Sequence, residues 1–156
     1  MDDKDLAILK QLRRDSRESM GRIAEDLEIS KATVSRRISR LEKDGVISGY
    51  SIDVNPSRIG LMRALLSLEV IGSSVNAVVD ELKKFKEVKR IYKVFGDHSL
   101  ICDIYSPSVD SLYSLIQDKL LNIPNIHNVE VDILVDKIDL NPNADIDLIS
   151  ATNVEE

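Results

Sequence analysis

The sequence predicts an α+β protein made of two domains with different architectures. The first 50 residues contain three segments with apolar residues at helical spacing, each preceded by a residue that can cap a helix. From residue 61 onward the pattern alternates as strand, helix, strand, strand, helix, strand. We therefore expect one domain at 1–47, a strand-like linker at 48–60, a second domain at 61–140 and a C-terminal tail at 141–156.

The first two predicted helices are amphipathic and begin at polar capping residues. Asp2 or Asp3 can cap the first helix, and acids at its start with bases at its end suit the helix dipole. Ser19 can cap the second helix. The inward-facing residues of the second helix are Ile23, Ala24 and Leu27. Each helix therefore presents one apolar face to a common core.

The third predicted helix separates apolar from basic residues. Ser30 caps it, and it ends where Asp44 meets Gly45, a residue that readily adopts the left-handed conformation. At about 100° per residue, its buried stripe consists of Val34, Ile38 and Leu41. The helix carries the basic residues Lys31, Arg36, Arg37, Arg40 and Lys43; of these, Arg36, Arg40 and Lys43 lie opposite the stripe, and Arg37 lies closer to its edge.

Positive charge is a local feature of this helix in an acidic chain. The net charge is −6 overall, and it divides into +1 over residues 1–50 (11 basic, 10 acidic) and −7 over residues 51–156 (10 basic, 17 acidic). Within 31–43, five bases face one acid, Glu42, which gives +4. A charged outer helix face is more often simply solvated, so the charge alone does not establish nucleic-acid binding.

The second and third helices have the spacing of a helix-turn-helix, of the winged-helix-like kind. Ala24 stands ten residues before Val34 and is small enough to let two helices cross closely. Such turns commonly carry glycine four residues after the alanine, but Glu28 occupies that position here. We expect the turn to accept some strain or a slightly different geometry.

A protruding basic helix of this kind fits the major groove of B-DNA, so we predict that it binds double-stranded DNA. The residues predicted to face base edges are Ala32, Thr33, Ser35 and Arg36. Those predicted mainly to hold phosphates are Lys31, Arg37, Arg40 and Lys43. Ser30, at the helix start, is also predicted to contact DNA.

The order β-α-β-β-α-β of the second domain defines a ferredoxin-like sandwich, an antiparallel four-stranded sheet with both helices on one face. In its third strand, Leu100, Cys102 and Ile104 point to one face, whereas Ile101 and Tyr105 point to the other. Both faces therefore carry apolar groups, and a second copy of the chain is the economical cover for the helix-free face. We expect a homodimer that assembles into a tetramer or octamer.

The segment "FGDHS", from Phe95 to Ser99, is the candidate small-molecule site of the second domain. Gly96 and Asp97 suit a hairpin turn. Alternatively, the backbone amides of this turn with Asp97, His98 and Ser99 could bind a small zwitterion such as an amino acid. The residues alone leave both interpretations open.

The other candidate residues have structural explanations. Cys102 is expected to be a small buried hydrophobic residue, and His127 a polar residue on the surface. Residues 146–149 favour a short strand in the tail. The sequence shows no motif of a catalytic or metal site: we find no paired carboxylates, nucleophile–base arrangement, metal-ligand spacing or glycine-rich phosphate loop. We therefore expect no enzymatic activity, no cofactor and no metal.

The composition indicates a folded protein of a reducing compartment. Hydrophobic residues make up 43% and charged residues 31%, which is typical of a globular chain. No window approaches the roughly 18 apolar residues of a membrane span, and the start lacks the features of a signal peptide. A single cysteine excludes an intramolecular disulfide framework. We expect a cytoplasmic protein that does not bind membranes.

With these segments in order, the chain resembles the Lrp/AsnC (feast/famine) transcriptional regulators, a prokaryotic family with archaeal members. The segment "DDKDLAILKQLRRDSR" resembles the family's first helix, and "IAEDLEISKATVSRRISRLEKDGVISGY" resembles its helix-turn-helix and tether. The second domain is similar to the family's amino-acid-metabolism regulation domain, a ferredoxin-like module that dimerises and often binds amino acids between dimers. The resemblance implies DNA contact by residues 31–43 and effector contact near "VFGDHS".

We therefore predict a sequence-specific regulator that binds palindromic operators as a dimer or higher oligomer and responds to a small metabolite. Two alternatives remain at this stage. An architectural DNA-coating protein would use the same helix to read shape and charge. A metabolite-binding regulatory subunit would use its first three helices for protein contacts and would not bind DNA.

Overall fold

The computed structural model describes residues 1–152 and divides the chain into two compact units. The first unit contains residues 1–53 together with the segment that begins at Asp139, and the second contains Val54–Ile138. Every helix within 1–152 is too short or too polar to cross a membrane.

The first unit contains the three expected helices. They are α1 (Asp3–Arg14), α2 (Met20–Asp26) and α3 (Lys31–Lys43). Each expected cap is present, because Asp2, Ser19 and Ser30 accept hydrogen bonds from backbone amides in the first turn of the helix that follows. Local sequence therefore defines all three starts.

The apolar faces of these helices meet in one small core. Its fully or nearly fully buried members are Ile8, Ile23, Ala24, Val34 and Ile38. Leu12, Leu27, Ile29 and Ile47 pack around them. Leu41 is also buried, so the stripe expected on α3 is confirmed. The basic residues of α3 consequently lie away from the core.

The turn between α2 and α3 contains the strained residue that the sequence indicates. Glu28 has a φ of 53°, in the left-handed region. Its amide donates to the carbonyl of Glu25 (3.2 Å), and the Ile29 amide donates to that of Ala24 (3.0 Å). These two bonds form a Schellman motif, which requires a left-handed residue at this position. Glu28 therefore takes a conformation that costs roughly 1 kcal/mol relative to glycine, and the capping bonds offset that cost.

The C-terminal segment is helical, so the strand expected at 146–149 is wrong. Helix α6 (Ala144–Thr152) packs on α1. Ile146 is buried, while Asp147 contacts Lys10 Nζ at 2.6 Å and Asp145 receives two bonds from the Arg13 guanidinium, one of them 2.9 Å long. The alternation of Asp145, Ile146 and Asp147 also fits a helix, where two acids flank one inward residue by about 100° on either side.

The second unit has the expected order of elements. Its strands are β1 (Met62–Val70), β2 (Val88–Lys93), β3 (Leu100–Ser106) and β4 (Ile126–Leu134). Its helices are α4 (Val75–Leu82) and α5 (Val109–Ser114), and α5 continues through a π-helical turn (Leu115–Lys119) and a 3₁₀ turn (Leu120–Asn122). The sheet is antiparallel with strand order β2-β3-β1-β4, as a ferredoxin-like sandwich requires.

One face of this sheet carries the core of the second unit. Side chains alternate along each strand, so Leu66 on β1 and its register partner Cys102 on β3 point to the same side as α4 and α5. Both residues are buried, and burial raises the pKa of the Cys102 thiol to about 11. Cys102 is therefore a packing residue, as expected, and not a reactive thiol.

The strand expected in the linker does not form within the single chain. Among the described residues, 48–55 have no ladder partner, and the four strands of the sheet all lie between Met62 and Leu134. A 3₁₀ turn at Pro56–Ile59 follows, capped by the Asn55 side chain and closed by Gly60 at a φ of 75°. The apolar residues of this segment favour an extended backbone, but a strand also requires a partner.

The ion pairs of α6 predict how its contact with α1 depends on pH. The Arg13 side chain lowers the pKa of Asp145, and the Lys10 side chain lowers that of Asp147. A carboxylate whose pKa is lowered on folding stabilises the fold above its unfolded pKa, near 3.8, and loses this effect as the pH falls through the folded pKa.

We therefore expect the double variant Asp145→Asn/Asp147→Asn to show weaker amide protection in residues 144–149 than the parent at pH 7. The difference should shrink as the pH falls below about 3.8 through the lowered pKa values of Asp145 and Asp147, because the parent acids then become protonated too. Hydrogen exchange expressed as protection factors checks this. Asp110→Asn, which removes the first-turn acid of α5, serves as the control. A difference that persists undiminished at low pH would contradict the ionic origin.

Candidate DNA-binding surface and effector loop

The outer face of α3 presents most of the predicted DNA-contacting residues to solvent. The exposed residues are Ser30, Lys31, Ala32, Arg36, Arg40 and Lys43. The partly buried ones are Thr33, Ser35 and Arg37. Six of the nine predicted residues are therefore exposed, and three are partly buried.

The first turn of α3 is fixed by contacts among the predicted residues themselves. Ser30 Oγ accepts the Thr33 amide at 3.1 Å, and the two hydroxyl groups lie 2.9 Å apart. A Cβ at Gly21 on α2 would lie 2.8 Å from Lys31 Cε, so the absence of a side chain at Gly21 gives Lys31 its space. These contacts hold the N-terminal turn in one conformation.

An ion cluster that the sequence pattern does not reveal joins α1 to α3. Asp5 is 0% exposed, and its carboxylate accepts bonds from Arg37 Nη1 (2.8 Å) and Arg40 Nη2 (2.6 Å). Arg37 Nη1 also donates to both carboxylate oxygens of Asp2, each at 2.8 Å. Asp2, Asp5, Arg37 and Arg40 therefore form one network, which we call the α1–α3 ion cluster.

The same two acids form the capping box of α1. The Asp5 amide donates to Asp2 Oδ1 (2.9 Å), and the Asp2 amide donates to Asp5 Oδ2 (3.0 Å). The Asp5 amide and then the Arg37 guanidinium lower the pKa of Asp2 to about 2. The pKa of Arg37 is raised by Asp5 and Asp2. Both Asp2 and Arg37 are therefore firmly charged at neutral pH.

The cluster changes the expected roles of two predicted DNA contacts. The Arg37 side chain is 21% exposed and that of Arg40 is 53% exposed. Both guanidinium groups are already bound to carboxylates of α1. Counting Asp2 and Asp5 with residues 31–43 reduces the local charge from +4 to +2.

The signal that could have identified Asp5 is its position on α1. Asp5 precedes Leu9 by four residues and Leu12 by seven, so it belongs to the apolar stripe of the helix. An acid on such a stripe must find a cation or a hydrogen-bond donor when it is buried. The sequence does not show which cation, because the partners lie 32 and 35 residues further along the chain.

The candidate effector loop joins β2 to β3. Its closing bond runs from the Val94 amide to the Ser99 carbonyl (3.2 Å), so the hairpin loop is longer than a two-residue turn. Ser99 also holds the loop to β1, since its amide donates to the Leu68 carbonyl (2.9 Å) and its Oγ accepts the Val70 amide (3.2 Å). The predicted Ser99 is thus committed to backbone contacts.

The remaining loop residues surround a shallow groove of about 380 Å³. The groove is lined by Val75, Lys93, Val94, Phe95, Gly96, His98 and Ser99. Three of the four predicted effector residues line it, whereas Asp97 is exposed and outside this lining. His98 Nε2 lies 3.2 Å from a Glu130 carboxylate oxygen on β4, and its Nδ1 is buried with no partner among the described residues.

The helix-free face of the sheet combines partly buried apolar residues with an ion pair between the half-buried Arg63 and the buried Asp103. Leu65, Ile101 and Tyr105 lie on this face. Asp103, on the same face, is 0% exposed and accepts two bonds from Arg63, at 2.6 Å from Nε and 2.8 Å from Nη2. The side chain of Asp103 holds the pKa of Arg63 above its ordinary value.

Comparison with known proteins identifies both units. Residues 1–48 match the family model described as winged helix-turn-helix DNA-binding, and residues 63–143 match the Lrp/AsnC ligand binding domain. The transcriptional regulator LrpA1 of Halobacterium salinarum is 34% identical over 120 residues, which cover 76% of this chain and 84% of the relative. LrpA of Pyrococcus horikoshii is 30% identical over 139 residues, which cover 88% of this chain and 99% of the relative.

The solved structure of Escherichia coli AsnC has the same fold. It superposes with a TM-score of 0.81 at 22% identity, and the match covers 90% of this chain and 96% of AsnC. The basic face of α3, the ferredoxin-like unit and these matches agree with one another. The chain belongs to the Lrp/AsnC family and is a DNA-binding transcriptional regulator with a domain for small-molecule ligands.

Proposed function

We propose that this regulator binds palindromic operator DNA as a homodimer, or as a tetramer or octamer built from such dimers, through α3 in the major groove. The observation that carries the proposal is the exposed face of α3, which combines small residues in the first turn with Arg36 and Lys43 beyond them. Two symmetry-related copies of α3 imply half-sites about 34 Å apart, one turn of DNA, or a multiple of that distance.

The α1–α3 ion cluster favours a division of α3 residues into those that contact bases and those that contact phosphates. Ala32, Thr33, Ser35 and Arg36 face base edges, where Arg36 suits the O6 and N7 acceptors of guanine. Lys31 and Lys43 contact phosphates. In this proposal Arg37 and Arg40 differ from the other bases, because their guanidinium groups are bound to Asp5.

Two substitutions test this division. Arg36→Ala should cost about 1–3 kcal/mol of operator binding and relax the base preference at one position. Lys43→Ala should weaken binding to all sequences alike and reduce the slope of log K against log salt by about one. Binding to operators selected from a random duplex pool, compared with random duplexes over a series of salt concentrations, measures both effects.

Equal effects of the two variants on operator and random DNA would contradict the division. Uniform protection of random genomic fragments in footprinting would instead favour the architectural DNA-coating alternative, which reads charge and shape without a preferred sequence.

The helix-free face of the sheet is the proposed dimer surface. Its partly buried apolar residues Leu65, Ile101 and Tyr105 are the kind that a second copy covers, and a symmetric pair brings two copies of α3 to one DNA duplex. The Arg63–Asp103 pair on this face would then lie within the interface.

Ile101→Lys tests the surface. A charge forced into the interface should weaken dimerisation by about 3 kcal/mol, a factor of roughly 100 in the dissociation constant. Sedimentation equilibrium measures this, with Val109→Lys at an exposed position of α5 as the matched control. If the Ile101 variant remains as dimeric as the control, the interface lies elsewhere.

The groove beside Phe95–Ser99 is the proposed effector site, and its ligand class is a small metabolite with an amino-acid-like zwitterion. The match to the Lrp/AsnC ligand binding domain supports a small-molecule ligand for this unit. The buried Nδ1 of His98 and the neighbouring Lys93 supply polar groups at the groove, and Gly96 leaves backbone accessible. The Ser99 hydroxyl is held by Val70 and contributes mainly to the shape of the loop.

His98→Ala should weaken the binding of the preferred amino acid at least about tenfold, because it removes a polar group from the groove. Isothermal titration with each of the common amino acids measures this. His127→Ala, an exposed histidine of the same unit, is the matched control and should bind as the parent does. Equal affinity of the two variants would place the ligand away from the loop, and no heat with any amino acid would contradict the ligand class.

A further inference from the structure

Asp5 is an unusual residue to find buried against a DNA-reading helix. Its carboxylate is 0% exposed and lies within 2.6–2.8 Å of two guanidinium nitrogens, Arg37 Nη1 and Arg40 Nη2. It also accepts the Asp2 amide in the capping box. A carboxylate with these three donors has little freedom to move, so it fixes the two arginines as much as they fix it.

This arrangement has an electrostatic consequence for DNA binding. A phosphate contact strengthens binding to every sequence, whereas a base contact strengthens binding to one sequence over others. An arginine already bound to a buried carboxylate must give up that contact, or share it, before it can neutralise a phosphate. Arg37 and Arg40 therefore increase the affinity for DNA of any sequence by less than two unbound arginines would.

We propose that Asp5 is a specificity-determining residue. Its carboxylate, on α1, binds Arg37 and Arg40 of α3 and so limits the phosphate contacts that α3 makes. Recognition of the DNA sequence is then left to the base-facing residues. This inference rests on the proposed function, in which α3 enters the major groove. It deepens that proposal by assigning a role to an acid that does not itself face DNA.

The variant Asp5→Asn tests the role. The neutral amide cannot hold two guanidinium groups as a carboxylate does, so Arg37 and Arg40 become available to phosphates. The slope of log K against log salt should steepen by about 1–2, and binding to random duplex should tighten at low salt. The ratio of operator to random affinity should fall severalfold. Asp3→Asn removes an exposed first-turn acid from the same helix and should change none of these quantities beyond the effect of one surface charge.

A purely structural role for Asp5 gives a different result. Loss of the capping box alone would weaken binding to operator and random DNA by the same factor, with the salt slope and the affinity ratio unchanged. That result would overturn the inference. Circular dichroism at the assay temperature, and a thermal melt with its midpoint above that temperature, establish that the variant is folded.

Arg40→Gln keeps the test decisive even if Asp5→Asn does not fold. With Asp5 present, Arg40→Gln should change the salt slope little, because Arg40 makes no full phosphate contact. A loss of about one unit of slope in this single variant would overturn the inference. Where Asp5→Asn folds, adding Arg40→Gln to it should remove part of the gained slope.

The result for Arg36 separates this inference from the proposed function. If the parent protein selects an operator and Arg36→Ala weakens operator binding, α3 is the recognition helix. An unchanged salt slope in Asp5→Asn then contradicts only the role of Asp5. If Arg36→Ala and Asp5→Asn both leave DNA binding unchanged, the proposed use of α3 itself is contradicted.

Discussion

The first unit depends on one buried carboxylate. Asp5 belongs to the apolar stripe of α1, and its burial is acceptable only because Arg37 and Arg40 of α3 and the Asp2 amide donate to it. The same acid completes the cap of α1, so the start of one helix and the position of another are set by a single group. The orientation of the basic side of α3 follows from this contact together with the apolar stripe that includes Val34.

The connection between α2 and α3 also contains an unfavourable local state that other contacts offset. Glu28 adopts a left-handed backbone because the Schellman motif that ends α2 needs one, and not because glutamate favours it. In the second unit, the bidentate contact of Arg63 with the buried Asp103 has a similar character. Such pairs contribute little net stability, since desolvation offsets the attraction, but they restrict which arrangements are possible.

Much of the fold follows from local patterns. The caps Asp2, Ser19 and Ser30 are recognisable because each acts on an amide within three residues, and strands β1–β4 are recognisable from alternation. The strand expected in the tail is wrong because Ile146 and Leu148 alternate as in a strand, whereas Lys10 and Arg13 on α1 hold Asp147 and Asp145 in a helix. A loop at Phe95–Ser99 is recognisable from its turn residues, but the bonds that commit Ser99 to β1 are not.

The sequence by itself determined the two-unit organisation, the three-helix and βαββαβ orders, and the face of α3 on which its bases lie, because each depends on spacing within one element. Only the tertiary structure decided which of those basic side chains are free of an ion-pair partner within the described part of the chain and which are bound to one. Arg36 and Arg37 are neighbours of identical chemistry in the sequence, yet one is exposed and the other is bound to Asp2 and Asp5. The reason is physical: the partner of a charge is chosen by distance in space, and residues more than 30 positions apart meet only when the chain has folded.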